Sequence, residues 1–220
     1  MNAPQKAWRG LAMEGWIASW YAKNTGKNLT RFLRAAEMLA ARFPAGSRLL
    51  EVAHGPGFLA VELARRGFAV SGLDVSASFL QIAAENAEKA GVRLDLHQGD
   101  AAHMPFPAGS FAGAVCMAAF KNFTDPDGAL RELHRVLAPG GVASVLDLRK
   151  ETDAAELTAE LDSMQLDRWN RWITRWTFER MLIPRAYANE EIEALAQKSP
   201  FPRWEIARDG VGFELRLYKE

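Results

Sequence analysis

One ten-residue stretch restricts the fold more than any other: Leu49-Leu50-Glu51-Val52-Ala53-His54-Gly55-Pro56-Gly57-Phe58. A short apolar strand ends in an acid, a glycine-rich turn follows, and Leu59-Ala60-Val61-Glu62-Leu63-Ala64 reads as a helix. A parallel strand that enters a helix through such a turn opens a crevice at its carboxyl end. Gly55 and Gly57 let the backbone turn tightly and let a ligand come close where a Cβ would intrude. The first amides of the helix point into the crevice and favour a negative group there. Glu51 faces the same space, so the crevice suits a ligand with one anionic and one cationic end. Tight turns also use glycine for steric reasons alone, so the neighbouring strands must decide the matter.

The rest of the chain repeats the rhythm. Residues 13–21 read as a short helix that puts Trp16 and Trp20 on one face, four residues apart. Asn28 or Thr30 is the expected cap of a helix over 31–42, whose Phe32, Leu33, Ala36, Leu39 and Ala40 form an apolar stripe. After the strand at 48–52 and its helix, Gly67 stops the helix and 68–74 form a second strand ending in Asp74. Ser76 begins a helix to residue 90, and 92–98 alternate as a third strand before Gly99-Asp100. Residues 112–117 are small and apolar, as a buried parallel strand requires. A helix at 128–137, the turn Pro139-Gly140-Gly141 and a strand at 142–148 complete the series. Alternation of this kind indicates a doubly wound parallel α/β sheet covered on both faces. Beyond it, 152–180 read as largely helical and tryptophan-rich, Asn189 is the expected cap of a helix over 190–198, and 203–207 with 212–218 form a hairpin around Asp209-Gly210.

A chain of 220 residues fits one α/β domain. A formal net charge of zero without a long basic run argues against a nucleic-acid partner. Cys116 is the single cysteine, so no intrachain disulfide forms, and a cytoplasmic setting is expected. Residues 1–10 lack the apolar core of a signal peptide, and no apolar run approaches the ~18 residues of a membrane span.

Three strands end in acids: Glu51, Asp74 and Asp100. In a doubly wound sheet these line one edge near the switch point. Asp74 lies 17 residues past Gly57 (74 − 57), near the ~20-residue spacing at which an acid accepts from ribose hydroxyls. A carboxylate suits that task because it accepts from two neighbouring hydroxyls at once. The competing reading is that such acids only cap helices.

With these residues in view, Leu49 to Gly57 resembles the first motif of class I S-adenosylmethionine-dependent methyltransferases. Ser71-Gly72-Leu73-Asp74-Val75-Ser76 resembles their second, and Gly99-Asp100-Ala101-Ala102-His103-Met104-Pro105-Phe106 their third. Arg131 to Gly141 is similar to the segment before their fifth strand. Phe120-Lys121-Asn122-Phe123-Thr124-Asp125 resembles the corresponding stretch of the ubiquinone and menaquinone C-methyltransferases. The resemblance implies one domain over 1–220, with a helical cap at 1–45, a cofactor-binding core at 46–150, a helical lid at 151–188 and a last helix and hairpin at 189–220. It implies a Rossmann-like sheet of seven strands, mostly parallel with an antiparallel terminal strand. It further implies that Glu51, Gly55 and Gly57 hold the amino-acid end of S-adenosyl-L-methionine, with S-adenosyl-L-homocysteine as product. Asp74 would bind the ribose, Val75 pack on the adenine, Asp100 and Ala101 recognise its polar edge, and Met117 border the methionine part. Tyr21 would close over the carboxylate.

Two positions depart from the family pattern. Ala53 replaces the usual first glycine, which the turn tolerates if φ stays negative there. Ala112 stands where these proteins often carry an acid. His54, inside the turn, either donates to the cofactor carboxylate or only fills the turn.

On the acceptor side, Trp169, Trp172 and Trp176 share one helical face, and Arg168, Arg171 and Arg175 repeat the spacing one residue earlier. With Trp16 and Trp20 they could roof the crevice over an aromatic or planar small molecule. Packing on the sheet, or a homodimer contact, is the competing use of such residues. Lys121 and Asn122 either orient a carbonyl or enolate oxygen of the substrate or face solvent. No residue is assigned as catalytic and no metal site is expected.

Methyl transfer to carbon, oxygen or nitrogen of a small molecule is therefore the leading expectation. Gly55-Pro56-Gly57-Phe58-Leu59-Ala60 also satisfies the permissive dinucleotide pattern of NAD(P)-type oxidoreductases, against which Glu51 and the terminal hairpin speak. A non-methylating S-adenosylmethionine-binding protein is the third reading. Arsenite methylation is disfavoured by the single thiol, and DNA adenine methylation by the absence of an Asn-Pro-Pro-Tyr motif.

Overall fold

The computed structural model describes residues 13–26, 29–164 and 166–220. Residues 1–10, on which the expectation of no signal peptide rests, and Asn28 lie outside the described residues. Seven strands form one sheet in the order β3-β2-β1-β4-β5-β7-β6. They are β1 (Arg48–Val52), β2 (Ala69–Asp74), β3 (Asp95–Gln98), β4 (Phe111–Met117), β5 (Leu137–Leu148), β6 (Arg203–Asp209) and β7 (Gly212–Tyr218). The first five pair in parallel, and β7 runs antiparallel to both β5 and β6. The chain steps outward from β1 to β3, then returns to β4 on the other side of β1. That reversal puts a crevice at the carboxyl ends of β1 and β4.

Among the described residues eight α-helices accompany the sheet: α1 (Gly15–Thr25), α2 (Thr30–Ala40), α3 (Phe58–Arg65), α4 (Ala77–Ala90), α5 (Pro126–Val136), α6 (Ala154–Ser163), α7 (Arg168–Thr177) and α8 (Asn189–Lys198). Successive strand residues alternate between the sheet's two faces. Leu49 and Val115 join a core with Leu39 of α2 and Leu59 and Leu63 of α3. Their neighbours Leu50, Ala114 and Cys116 join the opposite core with Leu130 and Leu133 of α5 and Ile192 of α8. The two-sided burial explains why β1 and β4 read as continuous apolar runs rather than alternating ones.

Three local expectations need correction. Thr30 is the first residue of α2 behind Leu29, whose side chain offers no cap. Asn189 is likewise the first residue of α8, behind Ala188. Glu191 supplies the cap there by reaching back to the Ala188 amide at 2.7 Å. The segment over 152–180 is largely helical, as expected, with Asp153 and Asp167 each capping a separate helix by accepting two backbone amides. Finally, β5 begins at Leu137, because Phe111 pairs with Leu137 before the register shifts at Gly113. Among the described residues no helix is long and apolar enough to cross a membrane.

Candidate functional site

Parallel pairing fixes where the three acids go. Glu51 pairs with Gly72, and Asp74 two residues later pairs with Gln98, two residues before Asp100. All three therefore emerge at the same edge of three adjacent strands, which lie about 4.8 Å apart. Glu51 is buried, and its Oε2 has no hydrogen-bond partner among the described residues. Burial pushes its carboxyl up to about 8, with the Ala60 amide opposing and the charge of Asp74 adding to the rise. A buried carboxylate left without a partner costs free energy, and such an oxygen in a native fold points to a missing ligand donor.

Asp74 is also buried, and both its oxygens are engaged. Oδ2 accepts from the Gly55 amide at 2.8 Å and Oδ1 from the Ser76 amide at 2.9 Å. The first bond pins the glycine turn to the tip of β2, and each oxygen keeps a lone pair for a further donor. Burial raises the Asp74 carboxyl, and the imidazole of His54 opposes that rise. Burial in turn lowers His54, so the ring stays neutral at pH 7. His54 Nδ1 donates to the Gly55 carbonyl at 2.7 Å, and Nε2 has no partner among the described residues. The ring fills the space beside β2, where a Cβ on Gly72 would stand 2.8 Å from His54 Cδ2.

The two turn glycines do different jobs. Gly57 has φ +76°, and a Cβ there would stand 2.8 Å from Cβ of Ala83, so it lets α4 pack against the turn. Gly55 has φ +53°, and a Cβ there would meet only Phe79 Cε2, at 4.0 Å, so its outer face is open. Ala53 corrects a sequence expectation. Its φ is +56°, not negative, a conformation an L-residue adopts at a cost of roughly 1–2 kcal/mol. Its amide donates to the Leu73 carbonyl at 2.7 Å, which holds β1 against β2 through the bend.

Val75, just after β2, is an apolar residue left substantially open, at 38%. Ala101 is buried beside it in sequence order after β3, and Asp100 Oδ1 accepts from the Ala102 amide at 3.0 Å, closing that loop. Met117 ends β4 and packs against the core with α2 and α3. The next residue, Ala118, has φ +58°, a second strained non-glycine at the same sheet edge.

No motif in the sequence marks the clamp that brings α1 here. Glu14 accepts from the amides of Ala77 and Ser78 at 3.0 and 3.1 Å and from the Ser78 hydroxyl at 2.5 Å. The Gly15 amide donates to Ser78 Oγ, and Ser76 Oγ donates to the Met13 carbonyl. The carboxylate of Glu14 thus caps α4 from another element, and these bonds hold it below the usual carboxylate range. Tyr21 meets Phe79 edge-on at 5.8 Å. Since Phe79 flanks Gly55, Tyr21 stands near the glycine turn.

Lys121 is buried rather than solvent-facing. Its Nζ bonds Asp147 Oδ1 at 2.7 Å and the Ala118 carbonyl at 2.9 Å, while its amide donates to Asp147 Oδ2 at 2.9 Å. The pair ties the tip of β4 to the tip of β5, with Asn122 completing a 3-10 turn from Phe120. Asp147 carried no signal in sequence because its partner lies 26 residues away. Trp16, Trp20, Trp169, Trp172 and Trp176 are all at least half exposed, so they do not pack on the sheet. A shallow cleft of about 380 Å³ lined by Asp127, Arg131 and Lys198 holds none of the strand-tip residues. Among the described residues no cluster of His, Cys, Asp or Glu could hold a metal ion.

The residues present fit a nucleoside with an amino-acid tail: the orphaned Glu51 oxygen suits an ammonium, the open face of Gly55 a close approach, and the free lone pairs of Asp74 a pair of hydroxyls. Comparison with known proteins agrees with that shape. Residues 49–141 match the family model described as a methyltransferase domain. The demethylmenaquinone methyltransferase of Thermus thermophilus is 39% identical over 124 residues, 56% of this chain and 56% of that one. The chain thus spans about half the length of that relative. The ubiquinone biosynthesis O-methyltransferase of Psychrobacter cryohalolentis is 28% identical over 178 residues, 75% of this chain and 68% of that one. A crystal structure from Methanococcus maripaludis, described as a putative S-adenosyl-L-methionine-dependent methyltransferase, superposes with a TM-score of 0.72 at 22% identity. That superposition covers 100% of this chain and 97% of the other and shows the shared fold.

Proposed function

We propose that this chain, whose residues 49–141 match a methyltransferase domain model, transfers the methyl group of S-adenosyl-L-methionine to a small planar acceptor of the quinol type. The observation that carries the reading is the buried Glu51 carboxyl, whose Oε2 has no partner among the described residues, beside the open glycine turn. The names of relatives that act in menaquinone and ubiquinone biosynthesis supply the acceptor class.

When bound, the sulfonium supplies a carbon already activated for in-line displacement. The chain's own residues bind and orient. Glu51 neutralises the ammonium, and the amides at the start of α3 face the carboxylate, with Tyr21 beside them. Asp74 accepts from the ribose hydroxyls, Val75 covers one face of the adenine, and the Asp100–Ala101 loop meets its polar edge. Met117 borders the methyl-bearing end. Lys121, committed to Asp147, shapes the floor between β4 and β5. Holding both reactants in line away from water lowers the barrier without a dedicated protein acid. A reduced, electron-rich ring needs little further activation; the proton that its carbon or hydroxyl loses on methylation passes to solvent, and no base is assigned. We place the reaction in the cytoplasm, where the lone thiol of Cys116 stays reduced.

Calorimetric titration with S-adenosylhomocysteine and with NAD tests the cofactor; binding of NAD alone would overturn it. Incubation with labelled cofactor and a panel of naphthoquinols, benzoquinols and phenols tests the acceptor. Cofactor binding with no methyl transfer to any of them would favour a non-methylating role.

A further inference from the structure

Helix α7 stands apart from the other helices: none of its residues is buried. Trp169, Trp172, Ile173 and Trp176 fall on one face, and 39 to 68% of each is open to solvent. Trp169 and Trp172 stack on each other at 5.5 Å. An apolar stripe at this spacing normally faces a core, yet nothing among the described residues covers this one. Contiguous exposed aromatic surface of this kind marks a contact with something else.

Charge decides what. Between residues 167 and 185 the chain carries five arginines against Asp167 and Glu179, a net of +3 on a protein whose formal charge is zero. Arg171 bonds Asp162, and Arg175 bonds Thr158 and Glu179. Arg168, Arg180 and Arg185 have no ion pair among the described residues. A second copy of the chain would set this positive edge against itself. An anionic lipid surface complements both features, because arginines meet headgroup phosphates while tryptophans settle at the interface.

Topology adds an independent point. The loop after β5 leads into α6 and α7, and α1 is clamped to the start of α4 just after β2. Both elements therefore belong to the carboxyl edge of the sheet, on either side of β1 and β4, and α1 also exposes Trp16 and Trp20. We propose that α7 docks the chain peripherally on an anionic lipid bilayer, lying flat in the headgroup region with its tryptophans inward. Docking by this helix would bring the crevice edge to the membrane, where an apolar acceptor is dissolved. The proposal does not rest on methyl transfer, since vesicle binding is read without cofactor or acceptor.

The test is sedimentation with vesicles of phosphatidylcholine alone and of phosphatidylcholine mixed with phosphatidylglycerol, alongside tryptophan emission. The intact chain is expected to bind the mixed vesicles at least tenfold more tightly than the neutral ones, to release with salt, and to shift its emission to the blue. Trp172→Ser with Trp176→Ser, and separately Arg168→Glu with Arg180→Glu, should each weaken binding about tenfold or more. All four positions are exposed, and circular dichroism checks that each variant folds. Equal binding to neutral vesicles, no binding, or binding that survives both double variants would overturn the proposal. So would light scattering that finds a dimer dissolved by the tryptophan substitutions, because a second copy would then cover the stripe.

Discussion

Replacing Glu51 by Gln removes one buried titration and leaves the shape of the site. In the free chain the Glu51 carboxyl is held at about 8 against an ordinary 4.5, chiefly by burial. An acid with a raised folded-state value contributes stability that is full below about 4.5 and is lost as pH rises through about 8. At about 1.4 kcal/mol for each tenfold in proton affinity, the whole difference corresponds to about 5 kcal/mol. Wild type should therefore lose stability relative to Glu51→Gln between pH 5 and 8, as read by urea denaturation. Ligand binding gives the sharper assay. An ammonium placed on Glu51 favours its ionised form, so S-adenosylhomocysteine should expel the proton. At pH 7 about 0.9 proton is released per ligand bound, and affinity should fall close to tenfold from pH 7 to pH 6. Titrations in buffers of different ionisation enthalpy report that number directly. Glu51→Gln should release almost none and bind at least about thirtyfold more weakly, the equivalent of about 2 kcal/mol for a lost charged hydrogen bond. Wild-type enthalpies that ignore the buffer at pH 7, or a variant that releases the same proton, would refute the reasoning.

Ala53→Gly should stabilise the chain by about 0.5 kcal/mol in thermal unfolding, because relief at φ +56° outweighs the added freedom of the unfolded glycine. Gly57→Ala should do the reverse, and by more, since its Cβ would meet Ala83 at 2.8 Å in a left-handed conformation. Lys121→Met should cost about 3–5 kcal/mol in urea denaturation by stranding the Asp147 charge, and adding Asp147→Leu should recover most of that loss. Glu14→Ala should cost about 1 kcal/mol of helix capping and speed hydrogen exchange in α1, leaving the amides of β1 and β4 protected.

The rhythm of strands and helices from 48 to 148 was legible because it is written in local terms. Continuous apolar runs, a Ser76 cap, glycine stops and turn residues each act within a few positions. The three strand-end acids were legible for the same reason: once the sheet is parallel, equal positions in successive strands share an edge. What the chain concealed depends on partners far along it. The cap position of α8 came out one residue before the expected one, at Ala188, because Glu191 reaches back to that amide. Lys121 reads as a loop cation until β5 delivers Asp147 beside it. Glu14 reads as a surface acid until the fold sets it 63 residues away on α4. The left-handed φ of Ala53 comes from the bend that bonds β1 to β2, since a side chain without functional groups announces no such strain. A tryptophan stripe has the same spacing whether it faces a core or water. Only tertiary packing, which assigns each surface its neighbours, leaves the stripe of α7 uncovered.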